Sequence, residues 1–230
     1  MEKPVIGLMG AMPDEIARLC AHMEQRGEER AAGVTFYTGV LRGRRVVLCC
    51  AGMGKVNAAC AAQLLVTKFG AGALIFSGIA GNMTDKIGVG DVVIGKTLLY
   101  HDAERRMIAE SYPHLQEFSG DAKMIAAAEA ACRAAGVKYI VGKIATGDDF
   151  VGDSATKNAI AAKCAPDCVE MEGAAVAHVA AKNDVPCVVL RAMSDNADEQ
   201  AYETLVGKPF DISEYCASAA KICEELVAGL

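Results

Sequence analysis

The sequence predicts an α/β fold built as a single domain over residues 1–230, around a mixed sheet. Three observations lead there. Apolar runs of strand length alternate with alanine-rich stretches of helix length. No Pro/Ser tract or charge block divides them, and 230 residues are enough for one sizeable core. A glycine among charges between Arg42 and Arg45 follows a β-rich run and reads as a hairpin turn, so part of the sheet is antiparallel.

In chain order, Val5–Met9 is a short apolar strand, and Met12–Gln25 follows as a helix whose Pro13 is tolerated in the first turn. Thr35–Leu41 and Arg45–Cys50 are the arms of the hairpin. The string AGMGKVN (51–57) resembles a phosphate loop. Cys49, however, stands in place of the first Walker glycine, and Val56 in place of the hydroxyl residue that holds magnesium. Read as G-x-G-x-x-G it fails at Asn57. A tight turn into a helix over Val56–Phe69 is the reading that remains.

Strands follow at Ala73–Ser77 and Asp91–Leu99, a helix at Ala122–Ala135, a strand at Lys138–Ala145, and helices at Ala155–Lys163 and Met171–Asn183. Cys187–Ala192 is the last strand. The final helix, Ile212–Val227, has the plainest periodicity: Ile212, Tyr215, Cys216, Ala219, Ile222, Cys223, Leu226 and Val227 share one face. Asp211 and Glu214 have capping-box spacing at its start.

Composition excludes several function classes. A net charge of −6 and a pI near 5.3 provide no basic field for a phosphate backbone, so no nucleic acid is expected as partner. No apolar run reaches the roughly 18 residues of a membrane span. The start, MEKPVIGLMGAMPDEI, has acids where a signal peptide would remain apolar. A cytoplasmic protein away from the membrane is expected. The ten cysteines contain no C-x-x-C pair and no zinc spacing with histidine, and read as reduced, mostly core residues. Of His22, His101, His114 and His178, the last lies on an apolar helix and reads as a packing histidine; His101 is given no catalytic role.

The chemistry is expected where strands end and helices begin. Three such junctions place a carboxylate among small apolar residues: Glu15 in GAMPDE, Glu172 in VEMEG and Asp195 in RAMSDNAD. A carboxylate is costly there unless paired or used. Taken singly, Asp195 could be a helix cap and Glu15 a solvated first-turn acid. Glu172 opens a helix of nearly unbroken apolar and small residues.

Seven strings in order, GAMPDE, SGIAG, the GD within Val89–Val92, YHDA, TGDDFV, VEMEG and RAMSDNAD, resemble the 5′-methylthioadenosine/S-adenosylhomocysteine nucleosidases of the nucleoside phosphorylase superfamily. The resemblance implies a three-layer α/β/α sandwich on a mixed central sheet, a homodimer, and hydrolysis of the N-ribosidic bond with release of adenine, in methionine salvage. On matching positions it implies that Glu15 is the base that activates water and Asp195 the acid that protonates adenine N7. It further implies that Glu172 holds the ribose hydroxyls and Met171 lies against the sugar. Phe150 would stack on the purine, Val151 would bond its edge through the backbone, and Ser194 and Arg191 would orient the acid and line the ribose side. Ile79 stands where many members carry a hydroxyl residue, and Asn82 where they carry a second glycine.

Hydrolysis passes through a sugar with cationic character, so a separated acid and base are needed and no metal or redox cofactor. Asp195 then needs a raised pKa, while Glu15 must stay ionised. An acid at Glu15 would repel phosphate, which favours water over phosphorolysis. After YHDA, residues 103–121 depart from the family's usual loop. The 5′ group is thereby left open between a methylthio or homocysteinyl substituent and that of 6-amino-6-deoxyfutalosine. A purine-nucleoside-binding protein without turnover is the alternative from another class.

Overall fold

A computed structural model of the chain, describing residues 3–201 and 212–230, realises the alternation of strands and helices. β1 (Val5–Gly10) leads into α1 (Pro13–His22), and a ribbon of β2 (Glu24–Ala31), β3 (Val34–Leu41) and β4 (Arg44–Cys50) follows. Then come α2 (Lys55–Thr67), β5 (Ala71–Asn82), β6 (Val92–Tyr100), the single turn α3 (Arg105–Ile108) and β7 (Phe118–Ser119). The chain continues through α4 (Ala122–Ala135), β8 (Tyr139–Thr146), α5 (Ser154–Cys164), β9 (Cys168–Glu170), α6 (Gly173–Lys182), β10 (Cys187–Asp195) and α7 (Ser213–Gly229).

The strands form one mixed sheet in the order β10-β6-β8-β9-β5-β1-β4-β3-β2, with β7 on β6. Because β10 also pairs with β5, the strands β5, β10, β6, β8 and β9 close into a ring. The central strands bury both faces. On β5, Leu74 and Phe76 join the core under α2 and α6, while Ala73 and Ile75, one residue out of phase, join the core under α1, α4 and α7. Helices on both faces of a mixed sheet make the expected three layers.

The described face of α7 is buried as its periodicity indicates, through Cys216, Ala219, Ile222, Cys223, Leu226 and Val227. Asp211, half of the expected capping box, lies outside the described residues. Among the described residues no disulfide forms, and Cys49, Cys132, Cys168, Cys187 and Cys223 are buried. His178 packs as expected, stacked on Phe118 with 4.4 Å between ring centroids.

Three expectations are corrected. The helix placed over Met12–Gln25 stops at His22, where Met23 turns extended, and Glu24 begins an unexpected strand. That strand, EQRGEERA, is exposed along nearly its whole length, so it carries no apolar alternation to read; its charges protect a sheet edge. It joins β3 through Ala32 and Gly33, both at positive φ, just as β3 joins β4 through Arg42 and Gly43. Second, α6 starts at Gly173, with Glu172 as its N-cap residue. Third, β5 and β10 run on to Asn82 and Asp195, past the ends set by their apolar residues, because Ile79, Ala80 and Gly81 of β5 and Arg191, Ser194 and Asp195 of β10 line a cavity.

Candidate active site

The parallel strands β1, β5 and β10 end side by side and open onto a cavity of about 620 Å³. This is the end of an α/β sheet where ligands collect. Glu15, Ile79, Phe150, Met171, Glu172, Arg191, Ser194 and Asp195 all line it. Val151 does not, but it lines an adjoining narrow recess together with Gly81, Phe150, Met171 and Asp195. Phe150 is 42% exposed at the mouth.

Glu15 sits in the first turn of α1, whose entry is set by Pro13. Its Oε2 accepts from Ala11 N at 2.6 Å and Met12 N at 3.1 Å, and its Oε1 accepts from Ile79 N at 3.0 Å. At 2% exposure it is not a solvated first-turn acid. Burial pushes its carboxyl above the ordinary range, and Arg191 together with the three backbone donors pulls it back. Gly78 makes room for this: a Cβ there would collide with both Glu15 Oε1 and Arg191 Nη1.

Asp195 ends β10. Its Oδ2 accepts from Ser194 Oγ at 2.7 Å and its Oδ1 from Ala197 N at 2.7 Å. The helical turn that follows is capped by Asp198, whose Oδ1 accepts from Gln200 N and Ala201 N, so capping is not the work of Asp195. Burial raises the Asp195 carboxyl, the hydrogen bonds from Ser194 and Ala197 oppose that, and Asp198 adds to the rise. Burial therefore acts on both acids alike. Their partners differ: Glu15 is pulled back by a guanidinium and three N–H groups, whereas Asp195 is pulled back by a hydroxyl that can also accept, one N–H group and Lys157, with Asp198 pushing the other way.

Arg191 is 1% exposed and held from three sides. Its Nη2 donates to Glu172 Oε2 at 3.1 Å and makes a tighter contact with Glu170 Oε2; Nη1 donates to the Ile79 carbonyl at 3.3 Å. Its guanidinium also lies 4.4 Å from the centre of the Phe76 ring. Glu172 accepts on Oε1 from Gly54 N at 2.8 Å. Burial pushes its carboxyl up to about 7, against the pull of Arg191 and with a push from Glu170.

Glu170 was not singled out from the sequence, although VEMEG contains it. Its Oε2 accepts from Glu172 N at 3.2 Å and Gly173 N at 2.7 Å, so it secures the start of α6 as well as Arg191. Met53, Gly54 and Asp148 also belong to the site; the first two lie in the turn that had been read as structural alone. Asn82 points elsewhere, donating to the Ile87 carbonyl at 3.0 Å. Among the described residues, no group of three or more His, Cys, Asp or Glu is placed to hold a metal ion.

Residues 5–228 match the phosphorylase superfamily. The chain is 37% identical to the 5′-methylthioadenosine/S-adenosylhomocysteine nucleosidase of Shewanella pealeana over 220 residues, 93% of each chain. The structure is similar to that of the nucleosidase of this name from Neisseria meningitidis in complex with methylthio-immucillin-A. The TM-score is 0.92 at 34% identity, covering 99% of this chain and 100% of that one. It is also similar to the futalosine hydrolase of Helicobacter pylori, with a TM-score of 0.90 at 28% identity, covering 99% and 98%.

Proposed function

Because the chain belongs to the phosphorylase superfamily, and within it to the 5′-methylthioadenosine/S-adenosylhomocysteine nucleosidases, we propose that it hydrolyses the N-ribosidic bond of these two nucleosides, releasing adenine. The observation that carries the reading is the spacing of two buried acids along β5. Glu15 takes the N–H of Ile79, and Asp195 lies beside Gly81, its register partner two residues further on. Two strand residues span about 7 Å, so the two acids are anchored at separate points on the wall of one cavity, as a base and an acid acting on opposite sides of a bond require.

In this reading Phe150 stacks on adenine, and Val151 offers its backbone to the purine edge in the recess beside Asp195. Asp195 protonates N7 as the bond breaks. Ser194 suits both states of that acid: its hydroxyl donates to the carboxylate, and with the Ala80 carbonyl 3.3 Å away it can instead turn to donate there and accept from the protonated form. Glu172 binds the ribose hydroxyls with Met171 against the ring, and Ile79 lines the sugar side. Glu15 orients and deprotonates the water. Three carboxylates around one guanidinium leave the ribose side net negative, which favours the cationic sugar of the transition state. No step calls for a metal or a redox cofactor.

Water is favoured over phosphate for a structural reason. The backbone N–H groups of Ala11, Met12 and Ile79 could cradle an anion, but the Glu15 carboxylate already fills that cradle, and Arg191 is engaged by Glu170 and Glu172. A cytoplasmic homodimer serving methionine salvage belongs to the same reading. Exposed Met53 and Val56 at the start of α2, with Met107, Tyr112 and Leu115 in the 103–121 segment, support the dimer.

The 103–121 segment also keeps a second substrate in view, 6-amino-6-deoxyfutalosine, in keeping with the futalosine hydrolase likeness. Relative kcat/KM on 5′-methylthioadenosine, S-adenosylhomocysteine and 6-amino-6-deoxyfutalosine separates the two readings, because 5′ contacts made in the transition state register there. Methylthioadenosine and S-adenosylhomocysteine are expected to be preferred. Binding without adenine release from any of the three would leave a nucleoside-binding protein instead.

A further inference from the structure

Outside the acids already described, one charged cluster stands at the rim of the cavity. Lys55, the first residue of α2, places Nζ 2.6 Å from Asp102 Oδ2 and 3.3 Å from Asp148 Oδ2. The two acids come from different segments, Asp102 after β6 and Asp148 after β8, and they are joined to each other: Asp148 N donates to Asp102 Oδ2 at 3.0 Å. Asp148 also accepts from Lys55 N on Oδ1 at 2.9 Å. The positive N-terminus of α2, which has no side-chain cap of its own, thus receives a carboxylate from a distant loop.

The next N–H back along the chain belongs to Gly54, and it donates to Glu172 Oε1 at 2.8 Å. Gly54 has φ +94°, a conformation that favours glycine, and a Cβ at this position would press within 3.2 Å of Asp148 Oδ1. Two consecutive backbone donors therefore reach two carboxylates that lie far apart in sequence. One of these is bound by the Lys55 clasp, and the other faces the cavity.

We propose that Lys55 is a positioning residue for Glu172: by clasping Asp102 and Asp148 it fixes the turn before α2 so that the Gly54 N–H holds the Glu172 carboxylate toward the ribose. This rests on the reading of Glu172 as the ribose-binding acid. The charged groups facing Glu172 are Arg191 from β10, Glu170 from β9 and Glu15 from α1; all three are untouched by a change at Lys55. Loss of the Gly54 hydrogen bond leaves burial and Glu170 less opposed, so the carboxyl is expected to hold its proton to higher pH.

The pH profile of kcat/KM for 5′-methylthioadenosine tests this in Lys55→Met, Lys55→Arg and Asp102→Asn, each checked for folding by thermal unfolding. In Lys55→Met the acid limb is expected to move up by roughly one pH unit, with kcat/KM lowered roughly fivefold at pH 7 and roughly tenfold well below it. Lys55→Arg should bring the limb most of the way back. Asp102→Asn distinguishes the clasp from simple charge and carries the test if Lys55→Met does not fold. Removing a negative charge acts through space to lower the pKa of Glu172, whereas slackening the clasp raises it. An upward limb in Asp102→Asn supports the proposal, and an unmoved or downward limb overturns it. A wild-type protein that releases no adenine overturns the hydrolase reading and this one together; normal wild-type turnover with an unmoved limb removes only the role of Lys55.

Discussion

A hydroxyl that both donates and accepts can follow a proton, and Ser194 is placed to do so between Asp195 and the Ala80 carbonyl. In the ground state its donation to Oδ2 lowers the Asp195 pKa, against the rise caused by burial. Removing it with Ser194→Ala is therefore expected to move the basic limb of the kcat pH profile upward, since the acid keeps its proton longer. Turnover should also fall by roughly tenfold, from poorer alignment of the acid. A basic limb that moves downward would contradict this role. In the proposed mechanism the opposite limb is set by the two acids that act ionised, Glu15, which burial raises, and Glu172, which burial pushes up to about 7. The carboxylate form prevails above that value, so kcat/KM is expected to fall as pH drops below about 7, in a profile measured on 5′-methylthioadenosine. Glu15, Glu172 and Asp195 were legible in the sequence because each stands at a strand-to-helix junction among small apolar residues. Glu170 and Gly54 were not. Their meaning depends on partners that only folding supplies: Arg191 lies 21 residues from Glu170, and Glu172 lies 118 residues from Gly54.

At the level of elements, the acids are as well placed as the helices that carry them. The helix α1, which bears Glu15, packs against α7, and Arg18 Nε donates to the buried Glu224 of α7 at 2.9 Å, with His22 Nδ1 also 2.9 Å from the same oxygen. The apolar face of α7 shares a core with α1 through Ile16 and Leu19. Leu226 is fully buried in the core it shares with Leu19 and Ile75. Leu226→Ala is expected to destabilise the protein by about 2–5 kcal/mol, read from the midpoint of denaturant unfolding. A change well under 1 kcal/mol would mean that α7 does not anchor this layer. The periodicity of α7 was plain in the sequence because, Glu224 apart, its buried residues are apolar, while its exposed ones are polar or small. By the same test β2 was invisible, since an exposed edge strand of charged residues has no buried face to mark its period. The glycine-rich ends of β5 escaped for a related reason: Gly78 and Gly81 leave room for acids, and small residues chosen for space do not look like a strand.

Across the whole molecule, the alternation of apolar runs with alanine-rich stretches was enough to predict an α/β fold, and the Arg42–Gly43 turn enough to predict a mixed sheet. Closure of β5, β10, β6, β8 and β9 into a ring was not legible, because pairing between β10 and β5 joins strands over a hundred residues apart. That closure brings Asp195 alongside Gly81 while Glu15 holds Ile79, so the proposed acid and base are anchored at separate points along β5. The most direct test is to incubate the wild type and Asp195→Asn with 5′-methylthioadenosine in ¹⁸O-labelled water, with and without inorganic phosphate, following free adenine and the label on the sugar. The wild type is expected to release adenine at a rate indifferent to phosphate and to place ¹⁸O on the sugar, while Asp195→Asn binds the nucleoside with turnover lowered by at least about a thousandfold. Adenine release that requires phosphate, or near-normal turnover in Asp195→Asn, would contradict the account.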